Sequence, residues 1–185
     1  MRLSKLTCIL IFLSSILSGC QTWNYIVKEE PAPVPDSSAK FIIPVGWTHA
    51  VVVNDRLMIS KDGFGIQFIE VIEGESKKVF ENTEVKFEEN AIPEDAAKSV
   101  ISFVKESAGF VNVDVVENTP TKLGGKDAFR LHLSFRNEKG VRFERIIYGL
   151  VHKKKLLMVS YQAATLHYFK RDLPVFERAV QTITL

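Results

Sequence analysis

Two segments near the carboxyl end of the 185-residue chain are apolar at every consecutive position: Ile146-Ile147-Tyr148 and Leu156-Leu157-Met158-Val159. Successive side chains of a β-strand point to opposite faces of its sheet, so strands of this composition are apolar on both faces. Each face then has to be covered by another layer of structure. The pattern predicts a sheet with helices on both faces, and it argues against a sheet that is open to water on one side.

Short runs of β-branched and aromatic residues, separated by turn-forming residues, continue this pattern along the chain. They predict strands at residues 41–43, 50–53, 57–60, 65–72, 111–116, 128–135, 141–151 and 156–163. The first four are expected to form an antiparallel meander, and the last three are expected to form hairpins because only short turns separate them.

The turn Asn137-Glu138-Lys139-Gly140 sets the register of one of these hairpins. With Gly140 in the left-handed region of a bulged type I turn, Phe135 lies opposite Phe143 and Leu131 opposite Ile147. A slip of one residue would place apolar side chains opposite charged ones. The hydrophobic pattern therefore favours the bulged register.

Two segments change to a helical period. Residues 93–108 have apolar positions at spacings of three and four, with Pro93 suited to a first turn and Gly109 to a helix end. A second helix is predicted to begin near Asp172, which can cap it, with Pro174 in the first turn. Its apolar face comprises Phe176, Ala179, Val180 and Ile183. Strands and helices together predict an α+β fold, an α/β/α sandwich in which helices flank both faces of an antiparallel sheet.

The first 19 residues have the composition of an export signal. Arg2 and Lys5 precede an uncharged apolar run at residues 6–17. As a helix with a rise of about 1.5 Å per residue, this run is shorter than the ~30 Å hydrocarbon core of a bilayer. We therefore predict that residues 1–19 are a cleaved signal peptide.

The end of this leader, Leu17-Ser18-Gly19-Cys20, resembles the lipobox of bacterial lipoproteins. The resemblance implies diacylation of the Cys20 thiol, cleavage before Cys20 and acylation of the new amino terminus. Two or more acyl chains hold a protein stably at a membrane. Gln21 is not the aspartate that retains many Gram-negative lipoproteins at the inner membrane, so we predict the outer membrane, facing the periplasm. The alternative is a free or buried thiol behind an uncleaved anchor.

Alternating prolines follow the leader at positions 31, 33 and 35. Proline cannot donate a backbone hydrogen bond and favours extended polyproline geometry. We predict that residues 20–39 comprise the lipidated cysteine and a Pro-rich tether, and that residues 40–185 form a single globular domain. The alternative is an irregular arm that packs along the domain.

Charge and cysteine content exclude several classes of function. The chain has 24 Lys and Arg and 22 Asp and Glu residues, and two of the basic residues lie in the leader. The mature chain is then formally neutral, which argues against nucleic acid as a partner. Cys8 is removed with the leader and Cys20 is acylated, so no thiol remains for a disulfide, a nucleophile or a metal site.

Four segments of the mature chain resemble a known superfamily. They are Phe41-Ile42-Ile43-Pro44-Val45-Gly46-Trp47, Gly65-Ile66-Gln67-Phe68-Ile69-Glu70-Val71, Leu123-Gly124-Gly125-Lys126-Asp127-Ala128-Phe129-Arg130, and Leu157-Met158-Val159-Ser160-Tyr161-Gln162-Ala163 with the helix that follows. Residues 40–185 thereby resemble the PsbP-like superfamily. The resemblance implies an α/β/α fold and action through protein binding, with no shared catalytic residues to assign here.

Motifs for catalysis are missing from the sequence. His49, His132, His152 and His167 are scattered without the spacing of a zinc hydrolase. Neither a nucleophile-elbow motif nor a phosphate-binding loop occurs. The sequence predicts no metal, no cofactor and no enzymatic activity.

The favoured register places five polar side chains on one face of the sheet. We call this set the polar sheet face, and it comprises Arg130, His132, Ser134, Glu144 and Tyr148, with Ser134 opposite Glu144. An arginine fork and a pH-sensitive histidine could orient an anionic ligand or the carboxylate of a partner. The alternative is that the helices leave this face open and its side chains are solvated.

A hairpin tip with Lys153, Lys154 and Lys155 is the second candidate site, for contact with a partner protein or with anionic lipid. Such residues also solvate a turn and protect a sheet edge.

Together the features of the sequence predict a membrane-anchored lipoprotein of the bacterial cell envelope whose non-catalytic domain binds another envelope protein or assists its assembly. The alternative function is a small-ligand-binding protein or hydrolase that uses the polar sheet face.

Overall fold

The computed structural model describes residues 23–50 and 55–185. The predicted signal peptide, the lipid attachment at Cys20 and most of the strand predicted at residues 50–53 lie outside the described residues. No helix in the described ranges combines the length and the hydropathy that crossing a bilayer requires.

Ten strands and three α-helices make up the described fold. The strands are β1 (Trp23–Tyr25), β2 (Pro31–Pro33), β3 (Lys40–Ile42), β4 (Thr48–Ala50), β5 (Leu57–Ser60), β6 (Gln67–Gly74), β7 (Phe110–Leu123), β8 (Lys126–Asn137), β9 (Arg142–His152) and β10 (Lys155–Ala164). The helices are α1 (Ser76–Val79), α2 (Pro93–Glu106) and α3 (Lys170–Val180), and a kinked helical turn (Thr165–Phe169) leads into α3.

A large antiparallel sheet dominates the molecule, as predicted. Eight strands form it in the order β1-β4-β5-β6-β10-β9-β8-β7, and β2 pairs with β3 in a separate two-stranded sheet. The predicted meander is confirmed from β4 to β6. It is wrong for β3, which pairs with β2 instead of β4.

Two element boundaries, the end of β7 and the start of α3, differ from the prediction. Strand β7 continues to Leu123, well beyond residue 116, and includes Pro120. An edge strand needs only one of its two hydrogen-bonding sides, so a proline is tolerated there. Helix α3 begins at Lys170, and Asp172 lies in its first turn without capping it. Asp172 accepts hydrogen bonds from other side chains instead.

The predicted register of the β8–β9 hairpin is confirmed. Phe135 lies opposite Phe143, and Leu131 lies opposite Ile147. Gly140 has a φ of 79°, the left-handed geometry on which the prediction depended. Strands β8 and β9 therefore present the predicted side chains to each face.

Alternate residues of β10 enter two separate apolar clusters. Leu156 and Met158 pack with α2, whereas Leu157 and Val159 pack with α3. This division follows the two-residue period of a strand. Both sets of apolar side chains on β10 therefore have a packing partner, α2 for one set and α3 for the other.

The segment predicted as a tether packs on the domain over its described part. Strand β1 pairs with β4, and β2 pairs with β3. Val34 and Ala39 are buried in the cluster that includes α3. The described part of this segment is therefore an arm that packs on the domain, with paired strands where the alternative interpretation expected irregular structure.

Candidate functional site

Strands β8 and β9 bring the five residues of the polar sheet face together. Arg130 lies opposite Tyr148, and Ser134 lies opposite Glu144, as the register predicted. Ser134 and Tyr148 are buried, and the other three side chains are largely buried. The kinked turn and α3 contact this face, so it is not the open, solvated surface that the alternative interpretation assumed.

Arg130 is the centre of a hydrogen-bond network on this face. Its Nε donates to Tyr148 Oη at 3.0 Å, and its Nη2 donates to Glu177 Oε1 of α3 at 2.8 Å. Its Nη1 donates to Glu117 Oε2 of β7 at 3.0 Å. Burial opposes the charged form, but the bonds to Glu177 and Tyr148 outweigh it and raise the pKa of Arg130. The three hydrogen bonds give each guanidinium nitrogen of Arg130 a partner within the protein.

The Tyr148 hydroxyl donates to Glu177 Oε2 and accepts from Arg130. Burial, followed by the hydrogen bond to Glu177, raises the pKa of Tyr148 to about 12. The phenol remains protonated throughout the physiological range. It acts here as a hydrogen-bond bridge between the sheet and α3, not as a base.

His132 and Glu144 form a second pair on the same face. Nε2 of His132 lies 2.7 Å from Glu144 Oε2, and the imidazole stacks on the Phe169 ring with centroids 5.5 Å apart. Phe169 belongs to the kinked turn that precedes α3. The imidazole is therefore held between a carboxylate and an aromatic ring.

An acid, a base and a cation come together on this face, as the sequence predicted. The structure adds Glu177 and Glu117, which the sequence analysis missed because their partners are distant in the chain. The hydrogen bonds of these residues form a network that joins the sheet to α3. In the described part of the chain, no group of three or more His, Cys, Asp or Glu residues could hold a metal ion.

The lysine hairpin tip is a tight turn between β9 and β10. Lys153 and Lys154 have φ values of 49° and 65°, the geometry of a two-residue hairpin turn. Lys154 Nζ lies 2.7 Å from Glu89 Oε2, and Lys155 Nζ donates to the Asp36 carbonyl at 3.3 Å. The Lys154 pair is exposed, so it contributes little to stability.

A buried carboxylate that the sequence analysis assigned as a helix cap anchors the start of α3. Asp172 is 2% exposed and lies 3.0 Å from Lys61 Nζ of the β5–β6 turn. Arg171 Nε donates to it at 2.8 Å. Burial opposes the charged form, but the bonds from Arg171 and Lys61 outweigh it and lower the pKa of Asp172.

A second buried charged group lies on the α2 side of the sheet. Glu70 of β6 accepts from Arg145 of β9 at 2.8 Å and from Arg56 at 2.7 Å. Ser160 of β10 accepts from Arg145 at 3.1 Å. The sequence signal for this group is a charged residue inside an apolar strand, as in Ile69-Glu70-Val71.

Comparison with known proteins identifies the fold. No protein-family model matches the chain, and no curated protein matches it. Cyanobacterial PsbP from Synechocystis sp. PCC 6803 aligns with a TM-score of 0.59 and 11% identity, over 91% of this chain and 95% of its own. The chain has a PsbP-like fold. The predicted PsbP-like fold, built on a large antiparallel sheet, is thereby confirmed.

Two further solved structures share the PsbP-like fold. The Ran-binding protein Mog1p of Saccharomyces cerevisiae aligns with a TM-score of 0.54 and 9% identity, over 81% of this chain and 84% of its own. LpqN, which is involved in cell envelope biogenesis of Mycobacterium tuberculosis, aligns with a TM-score of 0.52 and 12% identity, over 85% of this chain and 90% of its own. At such identities the likeness establishes the fold alone.

Proposed function

We propose that this protein is a non-catalytic protein-binding domain anchored in the bacterial cell envelope. Residues 1–19 direct export, the lipid on Cys20 holds the protein at the outer membrane, and an α/β/α domain on its periplasmic side binds another envelope protein or assists its assembly. The named neighbours are compatible with this role, since one is a Ran-binding protein and another is involved in cell envelope biogenesis.

The hydrogen bonds of the polar sheet face argue against catalysis there. A general base or an anion-binding arginine needs a polar atom that can reach a substrate. Arg130 instead uses its nitrogens on Tyr148, Glu117 and Glu177, and His132 is held against Glu144. The hydrolase alternative would require this network to open.

The outer edge of β7 is the proposed surface for protein binding. β7 is the terminal strand of the eight-stranded sheet, and Val111, Val115 and Val116 on it are 45%, 41% and 55% exposed. An edge strand has free backbone donors and acceptors that can pair with an extended segment of another protein. Apolar side chains beside that edge add contact area for the same segment.

The position of Cys20 supports this choice of edge. Trp23 begins β1, which is the strand at the opposite edge of the sheet from β7. A lipid on Cys20, close in sequence to Trp23, would hold the β1 edge near the membrane. With strands about 4.8 Å apart, the β7 edge then lies on the order of 30 Å away. We therefore place partner binding at the β7 edge, away from the β1 edge that follows Cys20 in the chain, and the lysine tip remains a second contact candidate.

Site-specific photo-crosslinking in intact cells tests the proposed edge. A photoreactive residue is introduced at Val116 of the full chain, and the matched control carries it at Ser102, an exposed position on α2. We expect a discrete crosslinked envelope protein from Val116 only, and Val116→Lys should abolish its copurification without lowering the thermal midpoint. Identical products from both positions, or no product from Val116, would contradict binding at this edge.

Membrane fractionation tests the anchor separately. Cys20→Ser should move the protein from the membrane fraction to the soluble fraction, because acylation needs the thiol. Mass spectrometry of the native protein should show the acyl chains on Cys20. Retention of Cys20→Ser in the membrane would contradict lipid anchoring while leaving the β7 proposal intact.

A further inference from the structure

The sheet face on the α2 side carries aromatic side chains at its β1 end. Trp23 lies opposite Ala50, and Ala50 lies opposite Met58, so these three side chains share one face. Met58 in turn lies opposite Glu70, which belongs to the buried charged group on the α2 side. Tyr25 lies on the same face as Trp23, because alternate residues of a strand point the same way.

Much of this aromatic surface is exposed. Trp23 and Tyr25 are 50% and 64% exposed. The ring of Phe64, from the β5–β6 turn, is partly exposed and lies 5.3 Å from the Trp23 ring, measured between centroids. Helix α2 covers the same face farther along the sheet, where its Val100 clusters with Leu131 of β8. We call Trp23, Tyr25 and Phe64 together the aromatic patch.

The length of chain between Cys20 and the aromatic patch is short. Cys20 precedes Trp23 by three residues, and three residues span at most about 11 Å when fully extended. Trp23 is paired with β4, so this short segment is all the chain that separates Cys20 from the sheet. The polar layer on each side of a bilayer is roughly 5–8 Å thick. A lipid on Cys20 therefore brings the aromatic patch within reach of the bilayer surface.

The residues of the patch have the chemistry of a membrane interface. Trp and Tyr side chains each combine an apolar ring with a polar hydrogen-bonding group, and both are enriched where lipid meets water. Phe64 adds a third ring. The nearest buried carboxylate on this face, Glu70, is paired with both Arg56 and Arg145. Contact with zwitterionic lipid would bury aromatic area without leaving Glu70 unpaired.

We propose that the aromatic patch lies in the interfacial layer of the bilayer and orients the domain on the membrane. This inference rests on the lipid anchor at Cys20 proposed above. The lipid holds the domain at the membrane, and the aromatic patch determines which side of the domain faces it. The contact differs in kind from one at the lysine tip, which would depend on anionic lipid.

Quenching of tryptophan fluorescence by brominated lipid tests this contact. The lipidated protein is purified in detergent and reconstituted on phosphatidylcholine vesicles, with or without bromine on the acyl chains near the headgroups. The chain has two tryptophans, and Trp47 is 1% exposed in the core. We expect brominated lipid to lower the emission of Trp23 by at least about twofold. Trp23→Phe should remove this decrease, because the remaining Trp47 is shielded by the protein.

Two further changes separate the aromatic contact from the short connection to the lipid. An insertion of about ten Gly and Ser residues after Gln21 lengthens the connection by roughly 16–19 Å. Quenching of Trp23 should persist, because the patch itself favours the interface. Tyr25→Glu in this lengthened chain should reduce the quenching by about fivefold, since a carboxylate is disfavoured there. Val141→Glu, at an exposed apolar position of the β8–β9 turn, is the matched control and should leave the quenching unchanged.

Flotation of the same vesicles distinguishes failure of the anchor from failure of the patch. If the native protein does not float with the vesicles, the lipid anchor and the aromatic contact fail together. Protein that floats while Trp23 is not quenched overturns the aromatic contact alone and assigns the patch to a protein partner. Loss of quenching on insertion of the linker also overturns it, as do equal effects of Tyr25→Glu and Val141→Glu in variants with unchanged circular dichroism.

Discussion

Arg130 on β8 and Glu177 on α3 connect the sheet to the helix that covers it, with Nη2 and Oε1 separated by 2.8 Å. The two side chains are 19% and 28% exposed, so water screens the pair only in part. Glu177 also accepts from Tyr148, which lies opposite Arg130 on β9. A single carboxylate of α3 is thereby bonded to both strands beneath it.

Replacing Arg130 by methionine should therefore destabilise the protein. Glu177 would retain only the Tyr148 bond, and we expect the free energy of unfolding to fall by about 1–3 kcal/mol. Urea denaturation followed by circular dichroism measures this change. The exposed Arg136→Met serves as the control and should cost less than about 0.5 kcal/mol. Equal effects of the two substitutions would contradict a structural role for the Arg130 network.

The polar sheet face illustrates what local sequence pattern can predict. Gly140 and the alternation of apolar residues fix the register, and the register alone determines that Arg130 and Tyr148 share a face. The pattern cannot specify which helix residue meets them. Glu177 is 47 residues from Arg130, and this pairing depends on how α3 docks.

The amino-terminal arm illustrates a different limit. Alternating prolines predicted an extended, unpaired tether, and the extended backbone of β2 (Pro31–Pro33) agrees with that geometry. An extended segment can also pair with an edge strand, and β3 accepts it. Local propensity gave the conformation of these residues, but only tertiary contacts decide whether they pack.

Gly149 of β9 should not tolerate a side chain. A Cβ at this position would lie 2.8 Å from Cε1 of the buried Phe129 ring, closer than packing allows. We expect Gly149→Ala to cost about 1–3 kcal/mol, measured by thermal or urea unfolding. Gly65→Ala is the matched control, because no atom lies within 4 Å of its added Cβ. Phe129→Leu should recover part of the loss in the double variant, and strictly additive effects would contradict the proposed clash.

Tyr148 should titrate at an unusually high pH. Burial and the bond to Glu177 place its pKa at about 12, above the ordinary value near 10. Ultraviolet difference spectra of the native protein and Tyr148→Phe should isolate this phenolate. Because the folded pKa is raised, the stabilisation is complete below about pH 10 and decreases as the pH rises toward 12. Ionisation of Tyr148 near pH 10 would contradict its burial against Glu177.

Asp172 should make the free energy of unfolding depend on pH in the acid range. Its pKa is lowered in the folded protein, where Arg171 and Lys61 favour the carboxylate against the effect of burial. A depressed folded pKa stabilises fully above the unfolded value of about 3.9, and the effect is lost as the pH falls below that value. Asp172→Asn should therefore be less stable than the native protein at pH 7, and the difference should shrink as the pH approaches about 3. Urea midpoints measured across this range provide the test, with exposed Asp114→Asn as the control. A difference that stays constant with pH would show that the Asp172 charge does not hold α3 to the β5–β6 turn.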